Sequence, residues 1–169
     1  HSSPRRQRQM CIRDSVECME SISLGTLNFL EAIKLNQKKI KFFNAGSSEC
    51  FGNTNKLIAN EKTVFSPRSP YATAKATAFW IVSNYRESYN LFCCTGILGN
   101  HESPLRNKRF VTKKIVSGVW DIVCKKSNEL RLGNLDTWRD WGWAPEYVEA
   151  MYLMMHSPEP EDYIIATGV

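Results

Sequence analysis

Leu91-Phe92-Cys93-Cys94-Thr95-Gly96-Ile97-Leu98 is a short, nearly unbroken apolar run. A strand with one face in water alternates apolar and polar residues, whereas a run without alternation suits a strand buried on both faces of a parallel sheet. Such a sheet needs helices to cover it, and the flanking sequence supplies them.

Val16, Met19, Ile22, Leu27, Leu30 and Ile33 recur at three- to five-residue spacing, which lays an apolar stripe along a helix from Val16 to about Lys34. Lys39 to Phe43 reads as a strand that opens into the small residues Ala45, Gly46, Ser47 and Ser48, where a site can form. A polar loop from roughly Gly52 to Arg68 ends in Ser69-Pro70, an N-cap followed by proline at the first helical position. A helix is therefore expected from Pro70 to about Tyr89. Beyond the apolar strand, a basic loop carries Arg106, Lys108 and Arg109. Then come an expected helix from Phe110 to about Val123, a strand Leu130-Arg131-Leu132, a helix from about Pro145 to His156 and a strand Tyr163 to Ala166. This alternation predicts an α/β layer architecture.

At 169 residues the chain is long enough for one domain with a hydrophobic core and too short for two well-developed ones. The net charge of +5 suggests nucleic acid until it is located. Arg5, Arg6, Arg8 and Arg13 against Asp14 place +3 in residues 1–14, a polar segment read as a disordered or non-native tail, and only +2 elsewhere. A nucleic-acid surface concentrates its cations on a folded face, so no nucleic-acid partner is expected. The six cysteines form no CxxC pair, which predicts free thiols in a reducing compartment. No run approaches the roughly 18 apolar residues of a membrane span, so no membrane partner and a cytoplasmic location are expected.

Tyr71 and Lys75 lie one turn apart on the helix expected from Pro70, so both side chains share a face. A phenol is a poor base at neutral pH, but a nearby ammonium and the positive end of a helix both favour its ionised form. Ser47 and Glu49, at the end of the preceding strand, add a hydroxyl and a carboxylate. Hydroxyl, carboxylate, phenol and ammonium together make an acid–base set able to move protons on an alcohol substrate.

Gly46-Ser47-Ser48-Glu49-Cys50-Phe51-Gly52 and Pro67-Arg68-Ser69-Pro70-Tyr71-Ala72-Thr73-Ala74-Lys75 resemble the active-site segments of the GDP-mannose 4,6-dehydratases, within the extended short-chain dehydrogenases. Three further stretches are narrower signatures: Asn84 to Tyr89, Asn100-His101-Glu102-Ser103-Pro104, and Leu132-Gly133-Asn134-Leu135-Asp136 running into Arg139-Asp140-Trp141-Gly142. The resemblance runs from about residue 15 to Val169 and implies an α/β fold: part of a Rossmann-type, doubly wound parallel sheet with part of a small substrate-binding region. On that template residues 15–98 belong to the NADP-binding domain, 99–131 to the substrate-binding region, and 132–169 return to the first domain. The family's glycine-rich fingerprint would lie upstream and further substrate-binding sequence downstream, so the chain is expected to be truncated at both ends and inactive alone.

The reaction implied by the resemblance converts GDP-mannose to GDP-4-keto-6-deoxymannose, with NADP recycled within each turnover. Tyr71 would be the base for the C4 hydroxyl, Lys75 would lower its pKa and hold the nicotinamide ribose, and Ser47 would bond the C4 oxygen. Glu49 would take the C5 proton and assist loss of the C6 hydroxyl. His101 and Arg106 match NADP contacts; Asn100, Lys114 and Arg139 match contacts to the GDP-sugar; no metal is implied. The intact protein is expected to form a homo-oligomer. Gly99 stands where the family usually has an aromatic residue, which predicts lost packing and a looser backbone beside Asn100 and His101. Two other readings remain open: a nucleotide-sugar epimerase, which would need no glutamate at position 49, and a non-catalytic fragment.

Overall fold

In the computed structural model, which describes residues 15–36, 39–54, 57–108, 110–133, 135–136 and 138–168, the apolar run becomes the middle strand of a parallel sheet. The expected tail 1–14 and the motif residue Asn134 lie outside the described residues. The described residues open with a turn of α-helix over 15–18 and a π-helical segment Met19–Leu24 that leads into α1 (Gly25–Asn36), followed by β1 (Phe42–Ala45) and a 3-10 turn Ser48–Phe51. Next come α2 (Pro70–Tyr89), β2 (Cys93–Leu98), β3 (Asn100–Glu102) and α3 (Val111–Val123). β4 (Trp141–Trp143), α4 (Ala144–His156) and β5 (Tyr163–Ile165) complete it.

All six residues of β2 are buried. β2 pairs in parallel with β1, from Phe42 opposite Cys93 to Ala45 opposite Gly96, and with β5 from Gly96 opposite Tyr163. Successive residues of a strand face opposite sides. The Cys93 thiol donates to the Val82 carbonyl of α2 at 3.4 Å, while that of Cys94 lies 4.0 Å from Met155 Sδ of α4. α2 and α4 therefore cover opposite faces, the doubly wound arrangement expected. Leu30 of α1, Val82 and Tyr85 of α2, and Cys93 form the core on one of them.

A polar clamp joins the layers. Arg86 of α2 donates to both carboxylate oxygens of Asp162, at 2.9 and 2.5 Å, and to the Cys93 carbonyl at 3.0 Å. Asp162 also accepts the Thr95 N–H at 2.6 Å. Both side chains are largely buried, at 19% and 13% exposure, so removing one leaves the other's charge without its counter-ion. Asp162→Ala in the full-length protein is expected to lower unfolding free energy by about 3 kcal/mol. Urea denaturation reads this directly, and a loss below about 1 kcal/mol would show that Arg86 finds solvent instead.

Two expectations are corrected. Leu130-Arg131-Leu132 is not a strand: Arg131 turns to Glu129 at 2.6 Å, and the Leu130 side chain packs against Gly118 of α3. The ladder partner of β3 is instead β4, with Asn100 opposite Trp141 and His101 opposite Gly142. The first helix is not uniformly α: the five-residue gap between Ile22 and Leu27 coincides with its π-helical segment, where a wider turn displaces the stripe.

Candidate active site

β1 ends at Ala45, and the chain turns at once into the 3-10 segment. Ser47, in extended conformation, caps that segment: its Oγ accepts the Glu49 N–H at 3.3 Å. The turn closes at Gly52, whose φ of +64° is left-handed, and a Cβ there would sit 2.0 Å from the Ser66 carbonyl oxygen, so glycine is required. The buried Cys50 thiol reaches the Ala72 carbonyl at 3.7 Å and fastens the turn to the start of α2. Burial pushes this thiol's pKa up, so it stays neutral.

α2 starts as the sequence predicts. Ser69 Oγ accepts the Ala72 N–H at 3.1 Å, and Pro70 occupies the first helical position. This aims Tyr71 and Lys75 at the β1 end, where the neighbouring Ser47 hydroxyl favours the ionised form of the phenol. Lys75 Nζ donates to the Ala45 carbonyl at 2.8 Å and stands 5.7 Å from the centre of the Tyr71 ring.

The electrostatics differ from expectation. Burial raises the Tyr71 pKa, outweighing the Ser47 hydroxyl, and the nearby Glu49 and Cys50 raise it further. Burial also lowers the Lys75 pKa. The ammonium is directed at a backbone carbonyl, so in this geometry the phenol holds its proton.

These groups open onto a cleft of about 1290 Å³ that Ser47, Glu49, Tyr71, Lys75, Asn100, His101, Arg106 and Arg139 all line. His101 Nδ1 lies 3.0 Å from the Gly99 carbonyl, and its ring stacks on Tyr147 at 5.0 Å between centroids. The Arg106 guanidinium sits 3.7 Å over the Phe110 ring. Its Nε is 3.3 Å from Glu102 Oε2, buried, and makes no hydrogen bond among the described residues. Arg139 donates to the Trp138 carbonyl at 2.8 Å.

Lys114 is separated from this group. Val111 and Ile115 of α3 face the cleft, whereas Lys114, turned about 100° from Ile115 on the helix, is exposed and does not line it.

Gly99 does not leave the expected void. Its N–H donates to Ile165 at 2.8 Å, and a Cβ there would meet the Tyr147 hydroxyl at 3.1 Å and Asp140 Oδ1 at 3.2 Å. The space is filled by those two side chains, and the backbone is held at both its N–H and its carbonyl.

Two other cleft residues, Glu102 and Trp141, belong to the motifs quoted from the sequence but carried no site role there. Glu102 accepts the Thr112 hydroxyl at 2.6 Å besides facing Arg106. Trp141 also lines the cleft, and Trp138, Trp141 and Trp143 are 92%, 41% and 48% exposed rather than packed in a core. Among the described residues, no cluster of three or more His, Cys, Asp or Glu could hold a metal, and no helix is long and apolar enough to cross a membrane.

The sequence profile of the family described as GDP-mannose 4,6 dehydratase matches residues 9–169. The chain belongs to this family. It is 51% identical over 148 residues to the Drosophila melanogaster GDP-mannose 4,6 dehydratase and 50% identical over 147 residues to the human one, 86% of the chain in each case. It spans 38% and 40% of those relatives' lengths, about two fifths. Among solved structures, RMD from Pseudomonas aeruginosa complexed with NADPH superposes with a TM-score of 0.88 at 22% identity, covering 95% of this chain and 56% of that one. DesIV, a dTDP-glucose 4,6-dehydratase from Streptomyces venezuelae solved with NAD and TYD, gives 0.80 at 19% identity, covering 93% and 48%. At these identities the likeness is one of fold, the Rossmann-type α/β architecture of the family.

Proposed function

We propose that the full-length protein carrying this chain is a GDP-mannose 4,6-dehydratase, converting GDP-mannose to GDP-4-keto-6-deoxymannose with loss of water and using NADP. The observation that carries this reading is the convergence of Ser47, Glu49, Tyr71 and Lys75 on one cleft. Family membership and relatives near 50% identity that bear this activity in their names support the substrate. Residues 15–98 and 132–169 are read as parts of the coenzyme domain and 99–131 as part of the sugar-nucleotide region, with the cleft lined from all three.

The site suits the coenzyme. Lys75 lies beside Tyr71, and the guanidinium of Arg106, set over the Phe110 ring and paired with Glu102 through Nε, lines the same cleft, a cation suited to an anionic group. When bound, NADP supplies the redox chemistry that removes hydrogen from C4 and returns it to C6. Ser47 holds the C4 oxygen and Tyr71 takes the C4 hydroxyl proton. Loss of that C4 hydrogen leaves a ketone, which acidifies the neighbouring C5–H. Glu49 removes the C5 proton and returns a proton to the departing C6 hydroxyl, which leaves as water. Asn100 and Arg139 hold the sugar nucleotide, and His101 lies with Arg106 on the coenzyme side.

Tyr71 must ionise to act as base, and burial opposes that. Turnover is therefore expected to rise as pH rises toward the phenol's elevated pKa. Lys75→Met removes the ammonium 5.7 Å from the ring centre and should move that rising limb to higher pH. An unshifted limb would assign it to another group. Incubation of the full-length protein with GDP-mannose and NADP tests the function itself: NMR should show a C6 methyl group. An epimerised sugar that keeps its C6 hydroxyl would instead make the protein an epimerase.

A further inference from the structure

Asp140 has no role in the chemistry above, yet it is among the most heavily hydrogen-bonded side chains near the cleft. Oδ1 accepts the Thr167 N–H at 3.0 Å and the Tyr147 hydroxyl at 3.4 Å. Oδ2 accepts the Gly168 N–H at 2.8 Å and the Thr167 hydroxyl at 2.9 Å. One carboxylate thus joins the entry to β4, the buried Tyr147 of α4 and the chain leaving β5. Its two sequence neighbours, Arg139 and Trp141, both line the cleft. Among the described residues the Arg139 guanidinium bonds only the adjacent Trp138 carbonyl.

We propose that Asp140 is a positioning residue for Arg139: by clamping residues 139–141 to Thr167, Gly168 and Tyr147, it presents the guanidinium to the diphosphate of the sugar nucleotide. This rests on reading Arg139 as a substrate contact. The carboxylate is required in its charged form, because each oxygen takes one backbone N–H that cannot rotate away. An amide, whichever way it turns, sets its NH2 against one of them. Consistently, although burial opposes ionisation, the bonds from Thr167, Gly168 and Tyr147 outweigh it and hold the acid below its usual range.

In the full-length protein, Asp140→Asn should raise KM for GDP-mannose about tenfold while kcat changes less than about threefold. Arg139→Ala should raise KM at least as much, and adding Asp140→Asn to it should raise KM no further, because the clamp then has nothing to present. Thr167→Ala, at an exposed position, weakens the clamp without changing charge. It should raise KM severalfold in the same direction even if Asp140→Asn folds poorly. An equal, multiplicative effect of Asp140→Asn in the Arg139→Ala background would overturn the proposal while leaving Arg139 a substrate contact. So would a fall in kcat with KM unchanged, the mark of a merely structural role. If Arg139→Ala leaves KM unaltered, the substrate reading of Arg139 falls, and this proposal with it.

Discussion

Tyr71→Phe in the full-length protein is expected to lower kcat on GDP-mannose by about a thousandfold while KM shifts by less than about threefold. The substitution deletes one oxygen and keeps the ring, so the packing at the start of α2 survives. What disappears is the hydroxyl that lines the cleft beside Ser47, the group proposed to take the C4 proton. Uniform binding contributions appear in KM, whereas a group that acts in the transition state appears in kcat, so steady-state kinetics separate the two. Near-normal turnover would remove Tyr71 from the chemistry and return the pair with Lys75 to an ordinary helix surface.

Glu49→Gln should be almost as damaging, by about a hundredfold or more, but at a different step. The amide keeps the shape of the side chain on the 3-10 turn and cannot accept a proton from C5. Oxidation at C4 should survive, leaving a 4-keto sugar that retains its C6 hydroxyl in at most one turnover per enzyme. Mass spectrometry of quenched reactions distinguishes that species from the 6-deoxy product, which has one oxygen fewer. Unimpaired formation of the 6-deoxy product would make Glu49 a solvated loop carboxylate and reopen the epimerase reading.

The layout of the sheet was legible because its central strand needs no partner information to be recognised. An apolar run that is short and unalternating tolerates few environments, and β2 is buried throughout. The start of α2 was equally legible, since Ser69 and Pro70 act within one turn of themselves. Elements that depend on distant partners were harder. β1 runs through Asn44, a residue that suggests a turn, because the Asn44 amide is satisfied by Thr95 Oγ1 at 3.1 Å inside the sheet. β4 contains Gly142, which looks like a strand breaker; the Tyr147 ring occupies the space a Cβ would need, 2.2 Å away.

The candidate site shows the same division. Ser47, Glu49, Tyr71 and Lys75 sit at an element's end or in its first turns, so local pattern located them. The electrostatics were not legible, since the direction of the Lys75 ammonium is set by the Ala45 carbonyl, thirty residues away in sequence. Arg139 could be selected by pattern, but not the Asp140 clamp beneath it, whose donors come from residues 147, 167 and 168. Lys114 shows the limit of position matching: one residue along α3 separates a cleft wall from solvent.

The most direct test of the dehydratase assignment follows a single hydrogen. Full-length protein is incubated with NADP and GDP-mannose carrying deuterium at C4, and the product is examined by NMR and mass spectrometry. The account predicts a 4-keto-6-deoxy sugar in which the deuterium has moved to the C6 methyl group, with one solvent hydrogen at C5. Deuterium still at C4 in a sugar that retains its C6 hydroxyl would contradict it.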